Sequence, residues 1–328
     1  MKELLSQLLA SQTLTTEQAY QALLSIGQGE VNPSQTAAFL TAYAMKGLTV
    51  EEVNGFRQAM LELCVSVDFT EFDPMDVCGT GGDGKNTFNI STTSAFVIAG
   101  AGQTVAKHGN HGVSSSVGSS TVIEKLGYEF TNDYDRLRRQ LEKAGICYLH
   151  APLFHPAMKH VGNVRRELGF KTFFNLLGPL MNPALVKRQL SGVYSPEVGE
   201  LYAGVLRSAG VRFAVVHAYD GYDEVSLTGN FLLIKDKETH QYSPEDIGLV
   251  QLKAEELAGG NNLQESADIL VQILDNRGTK AQTQVVIANA AVALHTAQEI
   301  SMEEAMERAK ESLESGRAYQ SLKTLLQS

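Results

Sequence analysis

Four of the seven residues in Gly79-Thr80-Gly81-Gly82-Asp83-Gly84-Lys85 lack a side chain. Without a Cβ, a backbone can turn through positive φ and aim successive N–H groups at one anion. The spacing comes close to the loop that cradles nucleoside triphosphates: Gly79, four residues, Gly84, Lys85. That loop continues with Ser or Thr to hold magnesium, whereas Asn86 stands here and Asp83 would face the phosphates unfavourably. A simple turn would also account for the glycines. The continuation Asn86-Thr87-Phe88-Asn89-Ile90-Ser91-Thr92-Thr93-Ser94 adds more, because its hydroxyl and amide side chains open an apolar run. One of them can cap a helix; the others remain available to an anion at that helix's N-terminus, where free N–H groups and the dipole favour negative charge.

Lys107-His108-Gly109-Asn110-His111-Gly112-Val113-Ser114-Ser115-Ser116 repeats the composition, and Gly118-Ser119-Ser120 opens a further helix. His108 and His111 lie three apart, but no third or fourth zinc ligand follows at a recognisable spacing. Asp223-Glu224 offers adjacent carboxylates, either a solvated turn or the hard oxygen donors that Mg²⁺ shares with a phosphorylated substrate. Between Ala151 and Pro196 the single acid Glu167 stands against Lys159, Arg165, Arg166, Lys171, Lys187 and Arg188. An arginine among the aromatic and apolar residues there could grip a planar carboxylate through two parallel bonds. Neutralisation of surface arginines by Glu167 is the alternative, and composition leaves both open.

These residues need elements to carry them. Residues up to about 65 read as helices: Thr15 with Gln18 and Thr49 with Glu52 fit capping boxes, Asn32-Pro33 starts a helix, and Gly47 ends one. From Asp73 short apolar runs alternate with helical patterns, which predicts α/β architecture. Strands are expected at Met75–Cys78, Gln103–Ala106, Ile146–His150 and Phe213–Ala218, and helices at Ser91–Ala101, Ser119–Leu126, Arg136–Ala144 and Val285–Leu294. Ser301–Leu325 reads as one polar amphipathic helical tail. The 328 residues carry a net charge of −10, which argues against nucleic acid and anionic membranes as partners. Yet Gly84–Ile123 is 40 residues without an acid, and ten of the 29 glycines fall between Gly79 and Gly127, as a site for a small anion would require. Cys64, Cys78 and Cys147 offer no disulfide framework, Met1–Ala10 has no sustained apolar run, and no stretch is long enough for a membrane span, so a cytoplasmic protein is expected.

In order and content these motifs resemble anthranilate phosphoribosyltransferase. The carrying residues are Gly79-Thr80-Gly81-Gly82-Asp83, Asn89-Ile90-Ser91-Thr92, Lys107-His108-Gly109-Asn110 with Ser114-Ser115, and Gly118-Ser119. His155-Pro156-Ala157, Arg165 before Leu168-Gly169, Phe174 to Pro183, and Asp223-Glu224 complete the set. The resemblance implies a small N-terminal helical domain over 1–70, completed by a helical segment near 160–185, and an α/β domain over 71–328 with a mixed, mainly parallel sheet. It implies a homodimer through the helical domain and transfer of phosphoribose from 5-phosphoribosyl 1-diphosphate (PRPP) to anthranilate in tryptophan biosynthesis. By the same resemblance Gly79, Gly82, Asp83, Thr87, Asn89, Ile90, Ser91, Thr92, Lys107, His108, Gly109, Asn110, His111, Gly112, Val113, Ser114, Ser115 and Ser119 would hold PRPP. Gly79, Asn110, His155, Arg165 and Gly178 would face anthranilate, and Ser91, Asp223 and Glu224 would bind two Mg²⁺ ions per subunit.

An oxocarbenium-like displacement at an anomeric carbon needs alignment and stabilisation of departing charge more than a nucleophilic side chain. That agrees with the lack of a Ser-His-Asp or Cys-His set, and leaves His108 as the candidate for proton handling. A pyrimidine nucleoside phosphorylase is the rival of related fold; the paired acids and the Arg165 region favour PRPP and a carboxylated acceptor. A non-catalytic nucleic-acid-binding relative would have a basic face and no acid pair.

Overall fold

The computed structural model describes residues 1–111 and 118–328. The chain begins with four helices: α1 (Lys2–Leu9), α2 (Thr16–Gln28), α3 (Pro33–Lys46) and α4 (Val50–Glu62). Their starts follow from local chemistry. Thr15 and Thr49 each accept the N–H of the residue three further on and receive its side chain in return, and Asn32 caps α3 ahead of Pro33. Glu52 does more than close its box. Fully buried, it accepts the Leu14 N–H at 2.9 Å, the Tyr43 hydroxyl at 3.1 Å and the Lys46 ammonium at 2.9 Å, tying α4 to α3 and to the entry of α2.

The bundle does not close on itself. Phe56 stacks on Phe173 at 4.5 Å, and Val161, Val164, Phe174 and Leu177 join the same core as Leu23, Phe39 and Met60. Tyr202, Leu206 and Val215 extend that core to the Pro196–Ser208 helix and to the sheet. The helical unit is thereby held to the flank of the sheet by continuous apolar packing.

Among the described residues the seven strands are β1 (Met75–Gly79), β2 (Val105–Gly109), β3 (Ile146–His150), β4 (Arg188–Gly192), β5 (Arg212–Ala218), β6 (Phe231–Ile234) and β7 (Thr239–Tyr242). They lie in the order β3-β2-β1-β4-β5-β6-β7. The first five run parallel, and β6 and β7 return antiparallel, giving the mixed, mainly parallel sheet expected. β4 was not legible as a strand because Arg188-Gln189-Leu190-Ser191-Gly192 has little apolar content. It is central nonetheless: the buried Gln189 amide donates to the Pro179 carbonyl at 2.6 Å and to Ser191 at 2.8 Å, which makes its burial tolerable.

On one face lie α5 (Ile90–Gly100) and the Lys280–Gln298 helix, both rich in buried residues. The expected single tail is two helices, Met302–Glu314 and Arg317–Leu326, broken at Gly316 with φ of 78°. Nor is it a polar appendage, since Ala305, Ala309, Leu313, Leu322 and Leu325 are buried in the sheet-side core. Among the described residues no helix is long and apolar enough to cross a membrane. Because β2 and β4 lie on opposite sides of β1, the connections at the carboxyl ends of β1 and β4 diverge, and the opening left there is where open α/β sheets place ligands.

Candidate active site

That opening is a cleft of about 1230 Å³ between the strand ends and the helical unit. β1 delivers Gly79 to its floor, after which Gly81, Gly82 and Gly84 take φ of 63°, 76° and 72°. A side chain would be strained at each of the three. Two neighbouring glycines are required by contact instead. A Cβ on Gly79 would overlap the Asp223 carboxylate, and one on Gly192 would overlap the Asp223 carbonyl oxygen. The segment after the glycines is braced from outside, with the Phe88 N–H on the Leu257 carbonyl at 3.1 Å and the Gly259 N–H on the Asn86 carbonyl at 3.0 Å.

Thr87, Asn89, Ser91 and Thr92 line the cleft at the start of α5. Thr92 Oγ1 is buried with no hydrogen-bond partner among the described residues, as is Thr80 Oγ1 on the glycine loop. Ile90 does not line the cleft. Its side chain lies in the core and its N–H bonds the Phe88 carbonyl at 2.7 Å, because a helix start can turn only some of its residues to the opening.

β2 brings Lys107, His108, Gly109, Asn110 and His111 to the same cleft, and Ser119 meets them from the next helix. Lys107 is 2% exposed and donates to the Val77 carbonyl at 2.6 Å, so its charge acts from the floor. Ser119 Oγ donates to the Asn110 carbonyl at 3.3 Å, and a Cβ on Gly109 would come within 2.7 Å of that hydroxyl. Gly112, Val113, Ser114 and Ser115 lie outside the described residues. Burial, reinforced by His155, pulls the His108 imidazole down to about 3. A group with so little hold on a proton is a weak base near neutrality.

Asp223 and Glu224 follow β5 and complete the floor. Asp223 Oδ2 accepts the Gly81 N–H at 2.7 Å and Glu224 Oε1 the Ser91 N–H at 3.3 Å, so the pair also ties down the glycine loop and the start of α5. Glu224 Oε2 is buried without a partner among the described residues. Burial pushes both carboxyls up, followed by the charge of Asp83 on Asp223 and of Asp223 on Glu224. Crowded carboxylates with a free oxygen suit a hard divalent cation, which would supply the missing positive charge. Among the described residues no group of three or more His, Cys, Asp or Glu could cage a metal alone, so substrate oxygens and water would have to complete the shell.

The opposite wall comes from the helical unit. Arg165 stands half-buried in the Lys159–Leu168 helix, its guanidinium 5.2 Å from the Phe174 ring centre and 3.5 Å from Asn175 Oδ1. Among the described residues it forms no ion pair with Glu167 or any other acid, which answers the neutralisation alternative. Desolvation lowers its pKa, the signature of a cation short of a counter-ion. His155, pulled down to about 4 by burial, packs edge-on to His108 at 5.2 Å, and Gly178 lines the same wall.

Sequence reading missed Lys171 as part of this arrangement. Its ammonium crosses from the helical unit to the Gly82 carbonyl at 2.9 Å and lies 6.0 Å from the Tyr194 ring centre. Its position in the acid-poor segment was the available signal; its partner, 89 residues away, was not.

A model of the glycosyl transferase family, a/b domain, matches residues 71–319, and one of its helical bundle domain matches residues 2–64. The chain is 52% identical over 324 residues to an anthranilate phosphoribosyltransferase of Cytophaga hutchinsonii, covering 98% of this chain and 99% of that one. It is 50% identical to that of Christiangramia forsetii, over 99% of this chain and 98% of the relative. Among solved structures, anthranilate phosphoribosyltransferase from Thermus thermophilus superposes with a TM-score of 0.93 at 35% identity, covering 99% of both chains. The Saccharomyces cerevisiae enzyme in complex with PRPP and Mg gives 0.91 at 30% identity, covering 98% of this chain and 96% of that one.

Proposed function

The chain belongs to the anthranilate phosphoribosyltransferase family, and we propose that its substrates meet in the cleft between helical unit and sheet. It is a glycosyltransferase that moves the phosphoribosyl group of PRPP to the amine of anthranilate, releasing N-(5-phosphoribosyl)anthranilate and diphosphate, a step of tryptophan biosynthesis. It uses magnesium. The observation that carries our placement is the polarity of the two walls: backbone donors and paired carboxylates on the sheet side, and on the other an arginine with no acid partner among the described residues.

In this reading the loops after β1 and β2 and the start of α5 bind PRPP through Gly79, Gly82, Asp83, Thr87, Asn89, Ile90, Ser91, Thr92, Lys107, His108, Gly109, Asn110, His111 and Ser119, together with Gly112, Val113, Ser114 and Ser115, which lie outside the described residues. Two magnesium ions held by Ser91, Asp223 and Glu224 would neutralise charge on the diphosphate as it leaves. Arg165 grips the anthranilate carboxylate, with Gly79, Asn110, His155 and Gly178 around the ring, and so turns the amine toward the anomeric carbon. An arylamine is neutral at pH 7 and needs no strong base, which suits a site whose buried histidines hold protons weakly. Catalysis then rests on alignment and on preorganised charge around the leaving group.

The same reading treats residues 1–70 with the segment near 160–185 as one structural unit and pairs two chains through it. Leu9 and Met45, 80% and 85% exposed on the bundle, support that surface. Three unpaired cysteines fit a reducing cytoplasm. The deciding assay mixes protein, Mg²⁺, PRPP and anthranilate and follows loss of anthranilate fluorescence with release of diphosphate. We expect both to proceed together. Loss of neither, with phosphorolysis of a pyrimidine nucleoside instead, would overturn the assignment.

A further inference from the structure

Asn289 sits in the middle of the Lys280–Gln298 helix, with Val286, Ala288, Ala290 and Val292 buried around it. The helix packs on α5 and needs no polar group there. A buried amide is costly unless its bonds are made, and Asn289 makes two of its three at one residue. Its Oδ1 accepts the Val225 N–H at 3.0 Å, and its Nδ2 donates to the Val225 carbonyl at 2.9 Å and to Val285 of its own helix at 2.9 Å. The side chain thus engages both backbone groups of the residue that follows Glu224.

Gly192 presses on the same segment from the other side, where a Cβ would overlap the Asp223 carbonyl. A small cavity of about 20 Å³, room for about one water molecule, lies among Asn289, Gly192, Ser91, Asp223 and Glu224. The segment is held at Asp223 by the close approach of Gly192, and Asn289 supplies its only side-chain clamp at Val225 among the described residues.

We propose that Asn289 is a positioning residue that holds Asp223 and Glu224 in the one arrangement able to share an ion with PRPP. The inference rests on the reading of those carboxylates as magnesium ligands. A segment released from the clamp spends less time in the competent geometry, and apparent ion affinity falls by that fraction.

The test uses Mn²⁺ as the probe, its binding to the full chain with PRPP present followed by the resonance of the free ion, alongside thermal unfolding. Asn289→Leu keeps the volume and removes the clamp; Asn289→Ser keeps a polar atom too short to reach both groups. Both should weaken Mn²⁺ binding about tenfold or more, while anthranilate affinity moves less than about twofold. Ser312→Ala removes a comparable buried bond, Ser312 Oγ to the Val97 carbonyl at 2.6 Å, toward the other end of α5 from Ser91. It should lower the melting temperature and leave Mn²⁺ affinity unchanged. If folded Asn289 variants bind Mn²⁺ normally while Asp223→Asn with Glu224→Gln does not, the positioning role is wrong and the metal reading survives. If the carboxylate variant also binds normally, the metal reading fails and takes this inference with it.

Discussion

Replacement of Arg165 by lysine separates geometry from charge at the acceptor wall. The native guanidinium lies 5.2 Å from the Phe174 ring centre, touches Asn175 Oδ1 only at 3.5 Å, and has no acid partner among the described residues. Its fork is therefore free for a carboxylate. Lysine keeps the positive charge but gives up one of two parallel bonds, about 1.5–3 kcal/mol for a charged hydrogen bond. It also loses about 0.5–1 kcal/mol of ring contact. Together these come to about 2–4 kcal/mol, which at about 1.4 kcal/mol per factor of ten lowers kcat/KM for anthranilate about 30- to 700-fold. Initial rates at saturating PRPP, read by anthranilate fluorescence, measure it. Aniline, the same arylamine without the carboxylate, completes a cycle of protein and ligand changes. The variant should barely alter the rate with aniline, and PRPP affinity should hold. Equal losses with both acceptors, or a raised KM for PRPP alone, would refute the assignment of Arg165 to the carboxylate.

Gly192→Ala forces a Cβ into the Asp223 carbonyl and should cost about 1–3 kcal/mol by urea unfolding, with weaker PRPP binding by calorimetry. Wild-type values for both would show that the segment yields. Glu52→Ala strands the Leu14 N–H, the Tyr43 hydroxyl and the Lys46 ammonium. Loss of one partner of a buried pair costs about 3–5 kcal/mol, toward the lower end here because the Lys46 side chain remains 10% exposed and can turn outward. A urea midpoint unmoved by the change would contradict that ledger. Buried His108 and His155 titrate at about 3 and about 4, below the usual 6.5. The unfolded chain therefore binds more protons below about 6.5, and stability falls as the pH drops toward 4, by up to about 1.4 kcal/mol per pH unit for each imidazole. His155→Asn should flatten that slope in denaturation curves taken across the window, and an unchanged slope would show that other groups set it.

Helix starts and the turns of the glycine loop were legible because their causes are local. Thr15, Asn32 and Thr49 bond N–H groups three residues away, and the run of positive φ at Gly81, Gly82 and Gly84 follows from residue type. β3 and β5 were legible because parallel strands covered on both faces carry unbroken apolar runs. β4 escaped because its strand character is conferred by β1 and β5 on either side, and β6 and β7 because four residues each leave too short a pattern. The C-terminal tail looked polar because a narrow buried stripe on two helices averages away in composition.

The sequence by itself determined which chemistry the chain could do: an acid-free glycine-rich stretch for a small anion, two adjacent carboxylates to share a cation, and a segment with more arginine than acid. Tertiary structure decided which of those groups line the cleft and which lie behind it. It buried Ile90 in the core, drew His108 below the range of a useful base, carried Lys171 across 89 residues to Gly82, and set Asn289 beside Val225, 64 residues away. Residue type and spacing set local backbone preference. Burial, charge balance and contact across the cleft depend on what packs around each group, and that exists only once the helical unit has closed on the ends of the strands.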